Sequence, residues 1–151
     1  MTNAPTQTNA PTATQVPTNI STKTVTFTGA AGLGAVGSVA LFTVAGFVEI
    51  EYILGRCTTD LVGATATIAL GVTGSTALFV AATTATDLDV GDIWVSATPT
   101  LAGIAIPAAE KGIAISANII GTIATADITA GVLEIDVVWR ALSSGASVVA
   151  A

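Results

Sequence analysis

The stretch Gly131-Val132-Leu133-Glu134-Ile135-Asp136-Val137-Val138-Trp139-Arg140-Ala141-Leu142 decides the fold class. Successive side chains of an extended strand point to opposite faces. Leu133, Ile135, Val137 and Trp139 therefore share one face, and Glu134, Asp136 and Arg140 share the other. That pattern is a half-buried antiparallel strand with a polar outer side.

Reading outward from this strand, the same kind of segment recurs. Thr22 to Thr28 alternates Thr with Lys, Val and Phe. Val39 to Ala45 and Phe47 to Leu54 are rich in β-branched residues and are separated by Gly46. In the second of these, Val48, Ile50 and Tyr52 are expected on one face, with Glu49 and Glu51 on the other. Further strands are expected at Ala64 to Val72, Ala77 to Ala82, Ile93 to Ser96, Leu101 to Ile106, Gly112 to Ala117 and Ile119 to Ala124. The stretch Ala77 to Ala85 could be helical by its alanines, but its Thr and Val content argues for strand. Asp87 to Asp92 and Thr98-Pro99-Thr100 read as turns. Many short strands with no run of strong helix formers predict an all-β fold, an antiparallel β-sandwich of jelly-roll type. Its expected core includes Phe42, Trp94, Leu133, Ile135, Val137 and Trp139.

The first part of the chain is different. Asn3 to Thr8, Asn9 to Thr14 and Gln15 to Ile20 read as three related hexapeptides, with proline at positions 5, 11 and 17. Proline fixes φ and biases its predecessor to extended backbone, which excludes helix. About 20 residues of such chain reach roughly 60 Å at ~3.1 Å per residue. The expected division is an extended Pro/Thr-rich arm over residues 1–21 and a β-sandwich over 22–151. A disordered linker is the competing reading of the arm. As a docking arm, Pro5, Thr6, Pro11, Thr12, Pro17 and Thr18 are its candidate partner-binding residues.

Composition narrows the function classes. Of 151 residues, 52% are hydrophobic and 9% charged, against roughly 25% charged in ordinary domains. Much of the surface must then be Ala, Thr, Gly and Ser, which suits packing against other subunits. The net charge is −6 and Lys23, Arg56, Lys111 and Arg140 are scattered, so no nucleic-acid partner and no anionic membrane surface is expected. The uncharged run Gly29 to Val48 is long enough to span a bilayer. Its five glycines, few large apolar residues and lack of flanking Lys/Arg argue against a transmembrane helix. The first 22 residues lack the charged and apolar regions of a signal peptide.

The chemical inventory is thin. Cys57 is the one cysteine and there is no histidine, so Cys57 reads as a buried apolar residue and not as a nucleophile. Asp87, Asp89 and Asp92 read as a tight acidic turn. Calcium is the alternative, but the loop lacks a downstream Glu at EF-hand spacing. Gly29, Gly32, Gly34 and Gly37 lack both the Lys-Ser/Thr ending of a phosphate loop and a following helix. They read as a flexible lead-in between arm and body. Trp94 and Trp139 read as core aromatics. The paired carboxylates Glu49/Glu51 and Glu134/Asp136 read as solvated or inter-subunit faces. No catalytic residue, cofactor or metal is assigned, and the chain is expected not to be an enzyme.

Several segments resemble a group of small tailed-phage virion proteins of the head-associated, decoration type. They are Val39 to Gly46, Arg56-Cys57-Thr58-Thr59, Ala81 to Trp94, Val138 to Ser143 and the closing Val148-Val149-Ala150-Ala151. The resemblance covers roughly residues 24–151, and Ala141 stands where similar proteins usually show proline. It implies a β-sandwich subunit, a homotrimer, bound to the major capsid protein on the capsid exterior and clamping the lattice. An arm crossing a subunit boundary would add contact area. Alternatives are a head-fibre base, neck or tail protein, or a bacterial filament or adhesin subunit using its arm for strand donation. A carbohydrate-binding jelly roll would want exposed aromatics, which make up only 5% of the chain.

Overall fold

The computed structural model describes residues 17–151. Among these the chain forms β1 (Asn19–Thr26), β2 (Gly37–Ala45), β3 (Val48–Val62), β4 (Thr67–Val72), β5 (Ser75–Thr84), β6 (Asp92–Trp94), β7 (Thr100–Leu101), β8 (Ile113–Ile115), β9 (Ile119–Ala124), β10 (Ala130–Ala141) and β11 (Ser147–Ala150). One sheet has the order β1-β10-β3-β6-β7, with β8 also paired to β3. The other has the order β11-β2-β9-β4-β5. All pairs are antiparallel.

The pairing is nested. β1 lies on β10, β2 on β9, β3 on β8 and β6, and β4 on β5. One long antiparallel ribbon is thus wrapped on itself into two packed sheets, which is the jelly-roll form of the β-sandwich. β11 extends the second sheet beyond β2.

The core fills the space between the sheets. Phe42, Trp94, Leu133, Ile135, Val137 and Trp139 are all buried in it. Both tryptophans place their indole N–H on a hydroxyl. Trp94 donates to Thr83 Oγ1 at 2.8 Å and Trp139 to Ser21 Oγ at 3.0 Å, so neither leaves a polar group unpaired. Gly55 interrupts β3 because the Trp94 ring lies against it. A Cβ there would come within 2.9 Å of the ring.

Four expectations need correction. First, β1 begins at Asn19, opposite Trp139. Asn19, Ile20 and Ser21 belong to the body, held by the β10 ladder and by the Ser21 hydroxyl. Second, Thr28 to Val36 joins β1 to β2 and is no lead-in to the body. It is pinned by Thr28 N–H on Leu33 O (2.7 Å), Ile128 N–H on Gly34 O (2.7 Å) and Val36 N–H on Asp127 Oδ1 (2.8 Å). Third, Tyr52 does not share the buried face of Val48 and Ile50. Val138 faces Tyr52 while Trp139 faces Ile50, so Glu51 is an extra residue on β3. This bulge reverses the alternation, and Ile53 takes the inward place instead. Fourth, of the expected strand Leu101 to Ile106 only Leu101 is paired, together with Thr100 from the expected turn. Ala102 at φ 72° and Gly103 at φ 153° turn the chain away.

Candidate functional site

The two outer faces of the sandwich differ in chemistry. Every charge carried by a strand is on the first sheet: Lys23, Glu49, Glu51, Arg56, Asp60, Asp92, Glu134, Asp136 and Arg140. The ladder register sets Glu134 opposite both Thr24 and Arg56, and Arg140 opposite Glu49. The Arg56 guanidinium reaches Glu134 and, at 2.8 Å, Asp136, whose other oxygen accepts the Thr22 hydroxyl at 2.5 Å. Arg140 Nε donates to Glu49 Oε2 at 2.7 Å. Such exposed pairs contribute about 1 kcal/mol or less each. At the edge of this sheet Ser21 donates to Val148 O at 2.7 Å, and the Lys23 ammonium donates to Ala151 O. These bonds tie β1 to β11 and close one side of the sandwich.

The second sheet has no charged residue in any of its five strands. Its outward positions include Ser38, Ala40 and Thr43 of β2, Thr122 and Ala124 of β9, Ala69 of β4 and Val149 of β11. Ser38 faces Thr122, which faces Ala69, and Thr43 faces Val149. Ser38, Ala40, Thr43, Ala124 and Val149 are exposed. Thr122 Oγ1, in the middle of the row, is buried and has no hydrogen-bond partner among the described residues.

The ends also differ. At the end where residues 1–16 join, Pro17 and Thr18 are exposed, and the Thr18 hydroxyl donates to Glu51 Oε1 at 3.2 Å. Phe47 and Leu142 lie at this end, 59% and 49% exposed, and are linked by Leu142 N–H on Phe47 O. Ile20, 69% exposed at the start of β1, is a third exposed apolar side chain beside the arm. Pro5, Thr6, Pro11 and Thr12 lie outside the described residues.

The opposite end gathers Asp60, Asp87, Asp89, Asp92 and Asp127. Three of these carboxylates cap turn amides. Asp60 accepts from Val90 N–H at 2.6 Å, Asp92 from Asp89 N–H at 3.1 Å and Asp127 from Val36 N–H at 2.8 Å. Among the described residues no group of carboxylates and thiol is arranged to hold a metal ion, and no cavity of ligand size opens. Cys57 is buried beneath this end, its Sγ 3.2 Å from Leu88 O. Burial, reinforced by Asp60, Asp92 and Asp89, pushes its thiol up to about 11.

One titratable group is buried elsewhere. Glu110 ends the short 3-10 turn Ala108–Glu110, which lies against β3 of one sheet and β5 of the other. Its Oε2 has no partner among the described residues, and burial pushes its carboxyl up to about 7.

The uncharged sheet escapes a reading strand by strand. Its signal is present, because Val39 to Ala45, Ala64 to Val72, Ala77 to Ala82 and Ile119 to Ala124 each lack charge. What a single strand cannot reveal is that these runs are neighbours. No protein-family model, no curated protein and no solved structure matches the chain.

Proposed function

We propose that this chain is a non-enzymatic structural subunit of a tailed-phage virion, a decoration protein seated on the outside of the head. It works as a homo-oligomer against the major capsid protein, adding contact area to the lattice. The observation that carries the reading is the division of charge. One face of the sandwich bears ion pairs suited to water, and the other is an uncharged sheet of Ala, Ser, Thr and Val. A face of that kind favours packing over solvation. The exposed Phe47 and Leu142 beside the arm's attachment offer a second contact, at the place where residues 1–16 would reach a lattice. The resemblance in Ala81 to Trp94 and Val138 to Ser143 points to the same class.

The test is co-sedimentation of the full chain with purified phage heads that lack it, followed by heating the heads. Binding at a fixed copy number and a higher head-disruption temperature are expected. Recovery in the tail or neck fraction would favour another virion role. Polymerisation into filaments without heads would favour the filament subunit.

A further inference from the structure

We infer that the uncharged outer face of the β11-β2-β9-β4-β5 sheet is the surface by which copies of this chain bind one another. The inference rests on the assembly reading above and assigns its self-contact to one face. The argument begins with charge. Each copy carries a net −6, and two copies approaching through the first sheet bring together Glu49, Glu51, Glu134 and Asp136 with only Arg56 and Arg140 to offset them. Like charges brought together cost free energy, and removing ion pairs from water costs more. Approach through the second sheet moves no charged strand residue out of water. A foreign partner could complement the charged face with a basic one. An identical copy brings the same excess of carboxylates and would have to strip its own ion pairs of water, so the uncharged face suits it better.

Area agrees. The sheet has five strands, and at ~4.8 Å per strand and about seven residues of ~3.4 Å it presents about 550 Å². Two such faces come near the ~1,000 Å² that a specific interface needs, β4 adding little because Ile68 to Val72 are already buried. Small exposed side chains at Ser38, Ala40 and Thr43 allow sheets to stack at the usual ~10 Å separation.

The experiment measures the mass of the full chain at micromolar concentration by light scattering, alone and with single substitutions on each face. Ala40→Glu and Thr43→Glu replace exposed residues on the uncharged face, and Thr24→Glu is the control on the charged face. The expected result is a discrete oligomer for wild type and Thr24→Glu, and monomer for Ala40→Glu and Thr43→Glu with unchanged circular dichroism. The wild-type oligomer should also persist in 1 M NaCl, because no ion pair holds it. A wild-type monomer, an oligomer that survives both β2 substitutions, or one that dissociates in salt would overturn the inference. Head binding by the same variants is scored separately. Retained binding with an intact oligomer in Ala40→Glu would refute the self-contact and leave the assembly reading standing.

Discussion

Replacing Glu110 by glutamine should stabilise this protein increasingly above about pH 4.5, fully above neutral pH, and leave it unchanged near pH 4. The carboxyl sits in the turn that closes the open side of the sandwich, between β3 and β5. β5 has no charged side chain. The carboxylates of the facing end of β3 are engaged elsewhere, Glu49 by Arg140 and Glu51 by Thr18. Burial is the cause of the shift from an ordinary 4.5 to about 7. As pH rises past 4.5 the unfolded chain releases this proton while the folded chain keeps it. Stability therefore falls from about pH 4.5 to 7, and the full loss persists above that. At about 1.4 kcal/mol per pKa unit this shift sets an upper limit of roughly 3–4 kcal/mol, brought to about 3 kcal/mol or less where the carboxylate can turn toward water. Glutamine keeps the shape and has no charge to desolvate. Urea unfolding of both proteins from pH 4 to 8.5 measures the difference. The curves should coincide near pH 4 and separate by up to about 3 kcal/mol at pH 8, or about 6–12 °C in Tm for a chain of this size. Parallel curves across that range, or a less stable glutamine variant at pH 8, would refute the argument.

Trp139→Ala should lower stability by roughly 3–5 kcal/mol, as for other buried aromatics, and should also release Ser21, loosening β1 from β11. An unchanged melting temperature would show that Trp139 belongs to an assembly contact. Cys57 should ignore a thiol reagent at pH 8 in the folded protein and react fully in denaturant, because its thiol is buried and held near 11. Reaction of the native protein within minutes would contradict its placement. Deleting residues 1–16 should leave the melting temperature of the body unchanged and remove head binding. The cut must stop before Asn19, since that residue already pairs with Trp139. Wild-type binding by the shortened chain would show that the arm is no docking element.

The β10 strand was legible because one rule governs it from Leu133 to Val137, beyond which the outward Val138 is buried as well. It lies between two neighbours, one face in the core and one in water, so its alternation from Leu133 to Val137 reports its environment directly. β3 obeys two rules at once. Its start alternates in phase with Val48 and Ile50, its middle with Ile53, Gly55 and Cys57, and the change at Glu51 leaves no mark in residue type. Gly55 resembles a strand end, whereas the Trp94 ring requires it in mid-strand. The joining of Asn19 to Trp139 spans most of the chain, and no local pattern encodes it. Glu110 was invisible for a similar reason: its burial comes from a turn lodged between strands far apart in sequence.

The uncharged sheet is the feature that folding alone does not require. A sandwich needs its inward positions apolar, and its outward positions accept charge freely. The chain switches sheets as it runs, so keeping charge out of one sheet demands alternation along the sequence. β1 and β3 carry charge where β2, β4 and β5 do not, and β10 carries it between an uncharged β9 and β11. Folding gains nothing from that alternation, since the register of each ladder is set by inward residues such as Val39, Ile68 and Ile123. A charge at Ser38 or Ala40 would meet only water in an isolated copy. Introducing one is thus a perturbation to which the fold is indifferent and a sheet-to-sheet contact is not.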